Sequence, residues 1–377
     1  EMSASLVGSE MCIRDRIVGK NGAGKTAILD AVAVAVSTFL LGIDGGVSRG
    51  ISKDDARYEF HNLNGTVDPQ HQFPVSIDSV GDCLDNQAVK WVRSLNSENG
   101  NTTVKEAREL TTISKEAQNR IMTGDKSLVL PLISYYGTGR LYAQKKEKKN
   151  IKSLTKFKRQ VGYVDCMAAE SNEKLMLNWF HTQTLKCLQE QQRTGVIEKS
   201  LLLKTVETAI CKCFERISGA KNASIIFDLD THRLVLDFES ADGILQKFAM
   251  DEMSDGYKNT LSMIGDIAYR MAVLNPMLGE KVLEETPGVI LIDEIDLHLH
   301  PQWQQTIISD LISIFPKIQF IVSSHAPAVI NSVSREQIRI LDNGEIYIPA
   351  AQTYGRDANS ILREVMKVSE RPMSCLL

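Results

Sequence analysis

Apolar residues along this chain fall into two kinds of pattern. Short uniform runs stop abruptly on polar groups: Ile17-Val18, then 128–135, 289–292 and 318–325. Such runs suit strands buried on both faces, as in the middle of a parallel sheet. Between them, apolar residues recur at helical spacing over 27–41, 160–220 (Met176, Trp179, Phe180, Leu185, Leu188), 259–274 and 302–314, the last stopped by Pro316. The more polar stretch 103–123 also reads as helical. A third pattern predicts antiparallel strands around turn residues. It covers 73–77 with 88–92, then 223–229, 234–238 and 245–250 with turns at Asp230-Thr231 and 241–243, and a hairpin over 339–348 around Asn343-Gly344. Residues 61–72 read as a polar segment broken by Asn64-Gly65 and Pro69.

The run 289–292 ends on two adjacent carboxylates, Asp293 and Glu294. Open α/β sheets place ligands at the C-terminal ends of their strands. Paired acids there are costly unless a cation or a reaction uses them. In nucleotide-hydrolysing enzymes the first holds the magnesium shell and the next polarises the attacking water. Alone, the pair reads equally well as a strand end whose acids face solvent. A phosphate loop elsewhere decides between these: Gly19-Lys-Asn-Gly-Ala-Gly-Lys-Thr26 is a complete G-x-x-x-x-G-K-T. Around Gly19, Asn21, Gly22 and Gly24 the backbone N–H groups can turn inward on phosphate oxygens. Lys25 reaches the β- and γ-phosphates, and Thr26 offers its hydroxyl to magnesium. Ile17-Val18 supplies the strand before the loop, and the helix that follows points its N-terminus at the phosphates. The chain is a nucleotide-binding protein.

Weaker candidates lie around this pair. Ser254 is an N-cap candidate for the helix over 259–274, whose start is free to bind an anion. His325, at the end of a second apolar run, can reach a γ-phosphate or the attacking water. Arg140, at a strand end after two glycines, can reach a phosphate, and reads nearly as well as a structural ion-pair partner. Gln70 and Gln72 lie where a magnesium-sensing glutamine is sought, but each reads better as a loop residue. The basic run 145–159 reads better as a solvated face than as a contact for nucleic acid or an acidic partner.

Composition narrows the picture. A net charge of −4 excludes a generally basic surface but not a local basic groove. The seven cysteines are irregularly spaced, which gives no metal signature and suits scattered thiols in a reducing cytoplasm. No run approaches a membrane span, 27–41 being too short. Both ends look foreign: Met11-Cys-Ile-Arg-Asp-Arg16 resembles the translation of a transposon end used in preparing sequencing libraries, and Cys375-Leu-Leu377 fits the same element read from the other side. Residues 1–16 and the last few are expected to be non-native, and the natural protein longer at both ends.

Several motifs then carry a family resemblance. Met253-Ser-Asp-Gly256, shortly before the Asp293-Glu294 strand, resembles the signature motif of ATP-binding-cassette (ABC) type ATPases of the SMC, RecF and OLD kind. Asp296-Leu-His-Leu-His-Pro301 resembles the loop that follows their Walker B strand, and Ser323-Ser-His325-Ala-Pro their histidine switch. Gly50-Ile-Ser-Lys-Asp-Asp-Ala-Arg57, Tyr135-Tyr-Gly-Thr-Gly-Arg-Leu141 and Tyr354-Gly-Arg-Asp-Ala-Asn-Ser-Ile-Leu362 are similar to a narrower group, the PtuA-type ATPases of Septu and retron-linked anti-phage systems. The likeness spans nearly all of 17–373. It departs at Met253, where leucine is usual, and in having no assignable Q-loop glutamine.

The resemblance implies an α/β P-loop NTPase: an ABC-ATPase-like head with a mostly parallel central sheet, an antiparallel β layer and a helical insertion. Its halves are expected at 17–141 and 222–350, separated by a basic, helical insertion at 142–221 and followed by a segment at 351–377. It implies ATP and Mg2+ as cofactors, slow hydrolysis, and catalytic roles for Glu294 and His325. Ser254, Asp255 and Gly256 are expected to close over the γ-phosphate of a neighbouring copy, having no task inside their own subunit. The expected partners are a second copy in a homodimer or higher oligomer with ATP sandwiched between subunits, and a separate HNH-type nuclease. DNA is an open partner; a membrane is not expected. Three readings compete: a defence ATPase switch controlling a nuclease, a RecF-like repair ATPase, and an ATP-sensing module with little turnover. The absence of a long heptad repeat weighs against a Rad50- or SMC-like repair machine, and no second acidic cluster suggests a Toprim nuclease.

Overall fold

The computed structural model describes residues 16–19, 22–63, 66–141, 158–168, 173–196, 199–342 and 344–366. Its strands, in chain order, are β1 (Arg16–Gly19), β2 (Tyr58–Leu63), β3 (Thr66–His71), β4 (Val75–Cys83), β5 (Asn86–Leu95), β6 (Leu132–Tyr136), β7 (Lys221–Asp228), β8 (Arg233–Glu239), β9 (Leu245–Ala249), β10 (Gly288–Ile292), β11 (Ile318–Ser324), β12 (Ile338–Asp342) and β13 (Glu345–Tyr347). The α-helices are α1 (Lys25–Ser37), α2 (Arg108–Met122), α3 (Glu173–Thr194), α4 (Leu201–Ser218), α5 (Asp255–Leu274), α6 (Val282–Glu285), α7 (Pro301–Ile314), α8 (Pro327–Ile330) and α9 (Ala358–Glu364).

The central sheet runs β13-β12-β1-β11-β10-β6, parallel except for the edge hairpin partner β13. Ile290, Leu291 and Ile292 of β10 are fully buried between β11 and β6, as a uniform apolar run requires. Register then decides where chemistry collects. Val18 pairs with Ser324, and Ile292 with both Val322 and Tyr136. The C-terminal ends of β1, β11, β10 and β6 therefore share one edge, and that edge presents the phosphate loop, His325, Asp293 and Tyr136. This is the α/β P-loop architecture expected from the sequence, with β4–β5 and β7–β8–β9 as antiparallel layers beside it.

Several elements differ from expectation for identifiable reasons. The apolar run 128–135 enters the sheet only at Leu132. The Asn275 amide takes both backbone groups of Leu130, accepting from its N–H at 2.8 Å and donating to its carbonyl at 2.9 Å. The polar segment 61–72 holds most of a hairpin, β2–β3. Phe60 and Val67 are exposed and the ribbon carries no alternating burial, so the period-2 signal is missing; Pro69 is tolerated because a two-stranded ribbon has free edges. On α3, Met176 and Phe180 are fully buried, whereas Leu185 and Leu188, read as the same stripe, are about two-fifths exposed at 40% and 39%. Arg159, counted in the basic run, is structural: it donates to the carbonyls of Leu274 at 2.6 Å and Leu128 at 2.7 Å. Residues 145–157 of that run lie outside the described residues. Contrary to expectation, one stretch, Lys25–Gly42, is long and apolar enough to cross a membrane; more than half of it is buried inside the fold.

Gly288 opens β10 where β6 comes closest. A β-carbon there would lie 2.1 Å from the Leu132 carbonyl oxygen and 2.8 Å from its nitrogen, both backbone atoms that cannot swing aside. Gly288→Ala is expected to destabilise the chain by about 3 kcal/mol, the upper end of overpacking costs. Thermal unfolding checks this, and an unchanged melting temperature would remove the steric argument.

Candidate active site

The loop between β1 and α1 is shaped by its glycines. Gly22 and Gly24 take left-handed backbone angles, φ 77° and 98°, that side chains rarely adopt. Gly19 is needed for space, since a β-carbon would lie 2.6 Å from the carbonyl oxygen of Leu341. Lys25, the first residue of α1, is buried; its Nζ donates to the Gly19 carbonyl at 2.8 Å. Burial lowers its pKa, against the pull of Glu294, Asp293 and Asp296. Asn21 lies outside the described residues.

The carboxylate pair is held by neighbours from two other strands. Asp293 is buried; its Oδ2 accepts from Thr26 Oγ1 at 2.9 Å, its Oδ1 accepts from the Ser323 hydroxyl, and its N–H donates to the Tyr136 carbonyl at 2.8 Å. Glu294 then leaves the strand in a left-handed conformation, φ 48°, with its N–H donating to Ser323 Oγ at 2.8 Å. The turn exposes about a third of the Glu294 side chain, 35%, while Asp293 stays inside. His325 lies between the two halves of the site. Its Nδ1 is 3.4 Å from Lys25 Nζ and its Nε2 is 3.7 Å from Glu294 Oε1. An ammonium group can only donate, so Nδ1 accepts and the ring proton sits on Nε2, facing Glu294. Asp296 holds the segment before His325, accepting from Ser324 Oγ at 2.6 Å and from the His325 N–H at 3.4 Å.

This arrangement has a hard-oxygen pair, Thr26 and Asp293, that suits magnesium, a lysine and a helix N-terminus suited to phosphate, and a partly exposed carboxylate suited to polarising water. The structure thus brings together Gly19, Lys25, Thr26, Asp293, Glu294 and His325. It does not bring Ser254, Asp255 and Gly256 to them. Ser254 occupies the N-cap position of α5 but makes no side-chain capping bond, and it and Asp255 are exposed. Gly256 is buried, and here one expectation is corrected. A β-carbon on it would lie 2.7 Å from the His298 carbonyl oxygen, and the neighbouring Tyr257 ring meets Trp303 at 4.4 Å. Close packing on the loop after Glu294 is a task inside its own chain. Gln70 and Gln72 bond within their own hairpin, to Asp68 and to the Gln70 carbonyl. The side chain of Arg140 lies outside what is described.

Sequence reading passed over Ser323, Asp296 and the pair Tyr135-Tyr136 as individual groups. Only strand register reveals Ser323: Ile292 pairs with Val322, so the next residues, Asp293 and Ser323, face each other.

Comparison with known proteins places the chain. A family profile described as "AAA domain" matches residues 17–217, more than half the chain, and another, "AAA domain, putative AbiEii toxin, Type IV TA system", matches 212–331. The chain belongs to the AAA-domain family. Its relatives include retron ATPases and the Septu protein PtuA. It is 25% identical over 399 residues to the Retron Vc95 probable ATPase of Vibrio cholerae serotype O1 biovar El Tor, covering 95% of this chain and 75% of that protein. It is 34% identical over 204 residues to the Retron Ec83 probable ATPase of Escherichia coli, 54% of this chain and 35% of that one. With the Septu protein PtuA of Bacillus mycoides it shares 35% identity over 96 residues, 26% of this chain and 13% of that protein. Among solved structures, an SMC head bound to the C-terminal winged-helix domain of ScpA aligns over 91% of both chains at TM-score 0.44 and 15% identity. The recombination mediator RecF aligns over 90% of this ATPase and 93% of its own chain, at 0.42 and 13%.

Ser323→Ala would leave a buried carboxylate oxygen and the Glu294 N–H without their shared hydroxyl. A loss of about 1–3 kcal/mol is expected for such unsatisfied groups. It should be read as a lowered melting temperature together with slower ATP turnover; a variant that melts and turns over like the parent would show that Ser323 does not hold the carboxylates.

Proposed function

We propose that this ATPase binds Mg-ATP at the edge formed by the phosphate loop and Asp293-Glu294, hydrolyses it slowly, and works in the cytoplasm as the nucleotide-controlled switch of a bacterial anti-phage complex. The observation that carries the chemistry is the Thr26–Asp293 hydrogen bond with Lys25, His325 and Glu294 gathered around it. Lys25 exchanges the Gly19 carbonyl for phosphate oxygens. Thr26 and Asp293 would hold the magnesium ion, which supplies charge neutralisation at the phosphates. Glu294 accepts the proton of the attacking water, and His325, with its proton on Nε2, orients that water and the terminal phosphate. What supports the defence reading is the relationship to retron ATPases and PtuA; the effector would be a separate HNH-type nuclease.

The exposed, uncapped Ser254 and Asp255 at the start of α5 support a second element of the reading. They, with the Gly256 backbone, close over the terminal phosphate held by another copy, making two equivalent sites in an isologous homodimer. ATP then favours the closed state, and loss of the terminal phosphate releases it.

Glu294→Gln is expected to retain ATP while slowing hydrolysis about 10²–10⁴-fold, the usual worth of a positioned base; hydrolysis at the parental rate would sink the assignment. Ser254→Arg should bind ATP normally yet fail to pair on ATP addition, as followed by light scattering. A monomer whose specific activity does not depend on concentration would defeat the shared-site reading.

A further inference from the structure

The motif Tyr135-Tyr136 ends β6 beside the carboxylate pair, and successive residues of a strand point to opposite faces of the sheet. On one face the buried Tyr135 ring lies under an ion pair that includes Asp30 of α1. Asp30 is paired with Arg49 at 3.0 Å, and the Arg49 guanidinium lies 4.9 Å above the Tyr135 ring. On the other face the Tyr136 hydroxyl donates to Asp266 Oδ2 of α5 at 2.8 Å, and Arg270 Nε donates to the same oxygen at 2.7 Å. Arg270 also donates to the carbonyls of Gly162 and Val164 at 2.8 and 2.9 Å. Tyr136, Asp266 and Arg270 are all buried. Between the two side chains, the Tyr136 carbonyl accepts the N–H of Asp293.

Tyr135 thus lies under an arginine paired with a carboxylate of the helix that begins at Lys25, and Tyr136 donates to a carboxylate of the helix headed by Ser254. Apolar side chains of the same volume are often at least as stabilising as a buried ion pair, so stability alone does not account for the second triad. What the triad does provide is a fixed rotation of α5 about its axis, measured from the strand end that also fixes Asp293. Burial and Asp266 raise the Tyr136 hydroxyl well above its ordinary pKa, so it stays a donor throughout the physiological range.

We propose that Tyr135 and Tyr136 are positioning residues that tie the phosphate-loop helix, the Asp293 turn and the Ser254 helix into one frame, so that Ser254 meets a second copy in the register set by bound nucleotide. The inference rests on the ATPase reading above. The second oxygen of Asp266 is buried and has no hydrogen-bond partner, so without Tyr136 the carboxylate keeps Arg270 Nε as its one described donor.

Tyr136→Phe keeps the ring and removes only that donor. Its ATP affinity should stay within about twofold of the parent, while kcat and ATP-dependent pairing fall about tenfold, the worth of one hydrogen bond to a charged group. Tyr135→Leu, which removes the aromatic face under Arg49, should give the same pattern. The double variant should be no worse than the weaker single one, because either break severs the frame. Parental kcat and pairing in Tyr136→Phe, or effects that multiply in the double variant, would overturn the inference while leaving the ATPase reading in place. So would a loss of ATP affinity in step with a lowered melting temperature, the mark of a merely structural role. A parent chain that neither pairs nor hydrolyses ATP would overturn both.

Discussion

A carboxylate buried at the end of a buried strand is costly unless it is given hydrogen-bond donors. Asp293 draws them from two directions: the Thr26 hydroxyl at the start of α1 and the Ser323 hydroxyl on β11. Its own N–H is anchored on the Tyr136 carbonyl at the end of β6. Four segments far apart in sequence are thereby brought to one point, and much of the architecture follows from it. The parallel register of β1, β11, β10 and β6 puts those donors within reach. The glycines of the phosphate loop let α1 begin close enough for Thr26 to take part.

What could be read from the sequence divides along physical lines. Apolar runs such as 289–292 announce their own burial, and the phosphate loop carries its geometry in its glycines, so β10, β11 and the loop were legible residue by residue. The hairpin over 58–71 was not, because both of its faces meet solvent and nothing alternates. The role of Gly256 was missed because the atom it makes room for, the His298 carbonyl oxygen, belongs to a distant loop. Tyr136 and Asp266 are separated by 130 positions, and Ser323 gains its meaning only from its position opposite Asp293. Local pattern gives elements; register and long-range pairing give the site.

The two halves of the site are electrostatically linked through one imidazole. Lys25 lies beside one ring nitrogen of His325 and Glu294 faces the other. Any movement of the lysine away from Gly19 alters the surroundings of the same ring that Glu294 faces. The phosphate loop and the carboxylate turn therefore share a side chain.

Glu294 sits in a left-handed turn, φ 48°, with its N–H fastened to Ser323. The strain of that turn is met by the backbone and by Ser323, not by the carboxylate itself. Asparagine and aspartate are among the residues that enter this region most readily. Replacing the glutamate by one of these would therefore keep the turn and the Asp293 cradle. In evolutionary terms the path of this turn and the identity of the side chain it carries can drift separately, without a refolding of the head.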